Sequence, residues 1–161
     1  MGSLMIKEID IENFTKCENC KKGDIFWYGQ RDINPEITSM KVRPYIIIGR
    51  NNPKSKRILV SPVQKIDNYI EDGKLKYPYH VALLKKDHKF LTKDSVILLD
   101  QIYTISKEEL YKENYMGTIK NYKELDDAIT YNFDLYESML EGIKGLLDSY
   151  QDVHREKYSR K

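Results

Sequence analysis

Short apolar runs rich in β-branched and aromatic residues recur through the first two thirds of the chain. Residues 25–28, 45–49, 58–63, 79–84 and 96–105 each read as a strand, the last one bent or interrupted near Gln101. The segments between them carry turn chemistry: Asn51-Asn52-Pro53, Glu71-Asp72-Gly73 and Lys86-Asp87-His88. Five or so short strands with no long helix between them predict an antiparallel barrel or sandwich. The period then changes. Ser106 with Glu109 forms a capping box and predicts a short helix of about two turns, and Asn121 with Glu124 predicts a second helix start. From there Leu125, Ile129, Phe133, Tyr136, Leu140, Ile143, Leu147 and Tyr150 recur at steps of four and three. They predict one continuous helix of nearly thirty residues, roughly 45 Å long. A small barrel cannot cover such a stripe, so the part beyond Tyr136 is expected to pack on a partner subunit or to fold back near Gly142 or Gly145.

The chain has 161 residues, 40% hydrophobic and 32% charged, which fits one folded domain. An N-terminal extension is expected at 1–22, a barrel core with a short helix at 23–120, and a C-terminal helix with a basic tail at 121–161. No apolar run approaches the roughly 18 residues of a membrane span. Residues 1–4 lack a signal-peptide core, and Met1-Gly2-Ser3 reads as an expression scar, so the expected location is cytoplasmic.

Net charge is only +2, but it is unevenly spread. Between residues 37 and 66 stand seven bases (Lys41, Arg43, Arg50, Lys54, Lys56, Arg57 and Lys65) and no acid. Between 124 and 152 stand eight acids and one base, Lys144. A basic body can bind a polyanion locally while the total stays near neutral; two solvated faces of opposite sign would read the same way. Cys17 and Cys20 make a single C-x-x-C pair, which is half a tetrahedral zinc site. Reduced thiols fit it best; a redox pair, or a four-cysteine site across a dimer, are the alternatives.

Gly23-Asp24-Ile25, Arg43-Pro44-Tyr45, Tyr77-Pro78-Tyr79-His80-Val81 and Asp100-Gln101-Ile102, in this order, resemble the PemK/MazF family of toxin endoribonucleases. Thr104-Ile105-Ser106 and Gly117-Thr118-Ile119 extend the likeness, which covers about residues 23–135. The resemblance implies a small SH3-like β-barrel with short helices, usually homodimeric, with RNA bound along the dimer interface. It implies cleavage of single-stranded RNA without metal or other cofactor, leaving 2′,3′-cyclic phosphate and 5′-hydroxyl ends. It also implies a cognate antitoxin that occupies the RNA groove, and no membrane.

That chemistry needs a base for the 2′-hydroxyl, charge at the phosphorane, and an acid for the leaving 5′-oxygen. Arg43 corresponds to the family's Arg in its Arg-Pro motif, and a guanidinium offers phosphate a bidentate fork. Asp100 corresponds to the acid of the acid-Gln motif, and His80 lies in the Pro-x-His-Val segment. At the position where the family commonly has Thr or Ser, this chain has Gln64, a hydrogen-bond donor but neither acid nor base. Ser61, three residues earlier, is expected to face the other side of its strand. Gln101 is expected to brace the adjoining loops. Tyr103, where relatives often carry Arg, offers a ring for base stacking. Lys41, Arg50, Lys54, Lys56, Arg57 and Lys65 complete the expected RNA-binding set. Two rival readings share the fold: a toxin that binds a protein target, like the gyrase-inhibiting toxins, and an RNA-binding module that has lost catalysis.

Overall fold

The computed structural model describes residues 14–30 and 41–159, so the sequence readings at 1–13, 31–40 and 160–161 lie outside it. Among the described residues the strands are β1 (Asp24–Gln30), β2 (Lys41–Ile47), β3 (Arg57–Lys65), β4 (Ile70–Glu71), β5 (Lys74–Leu75), β6 (His80–Leu83), β7 (Ser95–Leu98), β8 (Tyr103–Ser106) and β9 (Tyr115–Thr118). Helices α1 (Tyr122–Asn132) and α2 (Tyr136–Ser159) follow. Seven strands make one antiparallel sheet in the order β6-β7-β3-β2-β1-β9, with β8 also paired to β3. The predicted interruption near Gln101 is the turn between β7 and β8, closed by the Gln101 amide on the Leu98 carbonyl. The predicted Asp-Gly turn closes the small β4–β5 hairpin, with Asp72 and Gly73 at φ 52° and 74°.

Strand β3 organises the sheet. Its first residues pair with β8 (Arg57 against Ser106), its middle with β2 (Tyr45 against Pro62), and its end with β7 (Gln64 against Val96). This change of partners curls the sheet into an open barrel. The period-two alternation of its strands buries both faces. Ile25, Ile46, Val63, Val81 and Ile97 point to one core, which Leu125 and Ala128 of α1 cover. Phe26, Tyr45, Ile47, Val60 and Ile105 point to a second core with Cys20 and Leu110.

Two glycines are fixed by close approach. A Cβ on Gly117 would sit 2.2 Å from the Phe90 ring, and one on Gly23, already at φ +93°, would sit 2.6 Å from Tyr122. Such contacts require the surrounding structure to move.

The helical end departs from the sequence reading in two places. After Ser106 there is only a 3₁₀ turn, Lys107–Glu109, rather than two turns of helix. The Ser106 hydroxyl accepts from the Glu108 amide, while the Glu109 carboxylate accepts from the Tyr28 hydroxyl and does not reach back to the cap. The long helix is two. Asp134 takes a left-handed conformation at φ 55°, the Leu135 amide reaches the Thr130 carbonyl at 3.0 Å, and the Asp134 amide reaches that of Tyr131 at 3.1 Å. This is a Schellman stop with aspartate in the place glycine usually takes. Asn132 secures it by donating to the Leu99 carbonyl. Helix α2 then runs without a break through Gly142 and Gly145, so the chain does not fold back there.

Candidate active site

Register places the candidate residues before any contact is measured. Arg43 and Tyr45 alternate onto the same face of β2; Tyr45 opposes Pro62, so Gln64 faces that way on β3. Gln64 pairs with Val96, and Leu98 with His80, which carries the same face onto β6. Tyr103 joins it through its pairing with Val60. One surface of the curled sheet therefore holds Arg43, Gln64, His80 and Tyr103. On β2 and β3 it is the face opposite the core that α1 covers, and at β6 it borders α1.

Three of the four proton-transfer and phosphate candidates are linked in one run of contacts. The Tyr69 hydroxyl donates to Gln64 Oε1 at 2.9 Å. The Tyr69 ring meets His80 edge-on with ring centres 5.3 Å apart. His80 Nε2 lies 3.3 Å from Asp100 Oδ1, so the ring N–H donates to the carboxylate. The two partners differ in access: the His80 side chain is 3% exposed and that of Asp100 46%. Nδ1 of His80 has no hydrogen-bond partner among the described residues. Tyr77 and Tyr79 stack on one another at 5.2 Å, and both meet the histidine ring edge-on. Loss of hydration, with the Asp100 charge second, pushes the Tyr79 hydroxyl above its usual range. A pocket of about 350 Å³ between this cluster and α1 is lined by His80, Pro78, Asp127 and Tyr131 among others.

Arg43 is exposed at the neighbouring end of β2, opposite Tyr28 in the register. Tyr45, beside it, makes perpendicular ring contacts with Tyr28 at 5.5 Å and Tyr103 at 6.2 Å. Burial raises the Tyr45 hydroxyl's pKa, Tyr103 adds to the rise, and the Arg43 charge opposes it. The guanidinium thus sits at the rim of a tyrosine-lined surface.

The predicted RNA-binding residues fall into two groups. Lys65 lies next to Gln64, and Gln101 is exposed next to Asp100. Lys41 opens β2; its side chain is outside the described residues. Arg50, Lys54, Lys56 and Arg57 are exposed at the β2–β3 turn, the opposite end of these strands. That end is about 16 Å along the sheet from Arg43 at 3.3 Å per strand residue. Ser61 faces away from Gln64, as alternation predicts; its Oγ is fully buried and unpartnered among the described residues. Tyr69 escaped the sequence reading. It sits at the end of a 3₁₀ turn, Ile66–Tyr69, whose sequence carries no mark of its role in binding Gln64.

Cys17 and Cys20 are adjacent thiols, and burial with the neighbouring Cys17 pushes Cys20 up to about 11. Asn51 Nδ2 donates to the Cys20 carbonyl at 2.6 Å. Among the described residues no group of three or more His, Cys, Asp or Glu gathers as a metal-ligand set.

Residues 21–131 match the family described as PemK-like, MazF-like toxin of type II toxin-antitoxin system. The chain belongs to that family. The match ends where α1 ends, so α2 lies outside the shared region. Among curated relatives, the endoribonuclease MazF of Staphylococcus saprophyticus is 32% identical over 120 residues, covering 72% of this chain and 92% of the relative. Two solved toxin structures share the fold. One is a mycobacterial endoribonuclease in complex with its cognate antitoxin, with 18% identity, TM-score 0.52, 72% of this chain and 96% of that one. The other is a mycobacterial endoribonuclease with 16% identity, TM-score 0.50, and coverage of 73% and 93%.

Proposed function

We propose that the protein is a toxin endoribonuclease that cuts single-stranded RNA without a metal, leaving 2′,3′-cyclic phosphate and 5′-hydroxyl ends, and that a cognate antitoxin silences it in the cytoplasm. The observation that carries this reading is the linked set Gln64–Tyr69–His80–Asp100 on the sheet face that also presents Arg43, inside a PemK/MazF-family barrel.

The roles follow from access and bonding. Asp100 is the reachable member of its pair and carries the lone pairs to take the 2′-hydroxyl proton; buried His80 orients it by donating from Nε2. Tyr69 occupies Gln64 Oε1, which turns the amide N–H groups toward the phosphate as donors. Arg43 stabilises the pentacoordinate phosphorane with a charge that does not titrate away. Tyr103 and Tyr45 offer faces on which bases stack, and Lys65, Lys41 and Gln101 hold the strand near the cut. Arg50, Lys54, Lys56 and Arg57 hold RNA farther along, or the acidic part of an antitoxin. A homodimer completes the groove.

The test is incubation of long single-stranded RNA in excess EDTA with the wild type and with Arg43→Ala, followed by mapping of product ends. Discrete cuts with cyclic-phosphate ends that fall by about 10²–10³-fold in the variant, at unchanged melting temperature, are expected. RNA that is bound but left intact would instead support a binding module, a reading favoured by glutamine at position 64. Neither binding nor cleavage would turn attention to a protein target.

A further inference from the structure

Helix α2 presents an apolar seam to solvent. Tyr136, Met139, Ile143, Leu146, Tyr150 and Val153 are between 46% and 74% exposed. Their spacing is three, four, three, four, three. That is a 3.5-residue repeat, the period that keeps one seam facing a second helix; a helix lying on a barrel follows 3.6 with a broader stripe. Leu140 and Leu147, 65% and 56% exposed, flank the seam on one side. Apart from half-buried His154, every described side chain from Tyr136 to Lys157 is exposed.

A further feature indicates that another helix covers it. Gly142 and Gly145 sit inside the helix at a cost of about 1 kcal/mol each relative to alanine. A Cβ at either meets nothing within 4 Å, so the single chain gives no reason for them. Gly142 flanks the seam opposite Leu140 and leaves room for another backbone.

We propose that α2 is an antiparallel helix–helix contact between two copies of this chain. In that arrangement Tyr136 of one copy layers against Val153 of the other, Met139 against Tyr150, and Ile143 against Leu146. Gly142 then faces Ser149, a small-on-small flank, while Leu140 faces Leu147. The helix dipoles oppose in that pair. A parallel pair would stack tyrosine on tyrosine at two layers and bring Lys157 against its own copy. The contact is isologous, lies outside the family-matched region, and is independent of the nuclease reading.

Sedimentation velocity of the full-length protein across a concentration series, beside Ile143→Glu/Leu146→Glu, tests the proposal. Both positions are exposed, and unchanged circular dichroism and melting would show that the monomer is intact. The expected result is loss of the larger assembly, or at least about 100-fold weaker association. An unchanged mass distribution would overturn the proposal. Orientation is read by mixing Met139→Cys and Tyr150→Cys proteins under mild oxidation. A preference for the mixed disulfide supports the antiparallel pair, and a preference for like-with-like disulfides overturns it.

Discussion

Gln64 stands where the resemblance leads one to expect threonine or serine, and its surroundings orient it. A threonine hydroxyl rotates freely to donate or accept, but a primary amide must be oriented, and the Tyr69 hydroxyl does so by holding Oε1. Tyr69→Phe should therefore lower cleavage about 5–10-fold and stability by about 1 kcal/mol, with RNA affinity nearly unchanged, read from single-turnover rates and thermal melts. At the other core, Cys20 couples stability to alkaline pH. Its thiol titrates near 11 when folded, against an ordinary 9.0, so the native state keeps a proton that the unfolded chain releases. Stability from this residue is intact below pH 9 and is lost as pH rises toward 11. Denaturant midpoints should fall less steeply over that window in Cys20→Ala than in the wild type.

Strands were legible because alternation and β-branching act locally: the five apolar runs correspond to β1, β2, β3, β6 and the β7–β8 pair. Strand β9 was not, since Tyr115-Met116-Gly117-Thr118 is a four-residue segment interrupted by glycine, and it forms against the edge that β1 offers. The helix break was hidden for a related reason. Aspartate at 134 carries no stop signal of glycine's strength, and the apolar repeat passes straight through it; the break is imposed by the backbone bonds to Thr130 and Tyr131. Asp134→Gly relieves the left-handed strain and should raise stability by about 0.5–1 kcal/mol while leaving helix content unchanged by circular dichroism. The candidate site's motif residues, Arg43, His80 and Asp100, are named by likeness. Its connecting element, the 3₁₀ turn bearing Tyr69, arises from chain path and leaves no periodic trace.

Across the whole molecule, the shared family region closes its own core with α1, and α2 extends beyond it. No helix among the described residues is long and apolar enough to cross a membrane. Within the barrel, one strand belongs to both halves: β3 pairs with β2 and β8 on the Arg43 side and with β7 on the His80 side. Neither half can open without breaking bonds to it. The amides around Val60 and Val63 should then exchange with deuterium only through global unfolding, at a free energy matching that from denaturant melts. Those of α2 from Glu141 to Val153 should exchange orders of magnitude faster at protein concentrations too low for association. The distance between the two halves of the site would persist for as long as the protein is folded at all. Fluctuation in this enzyme's turnover would then originate in the tyrosine-bearing loops at its rim, while the scaffold beneath them holds still.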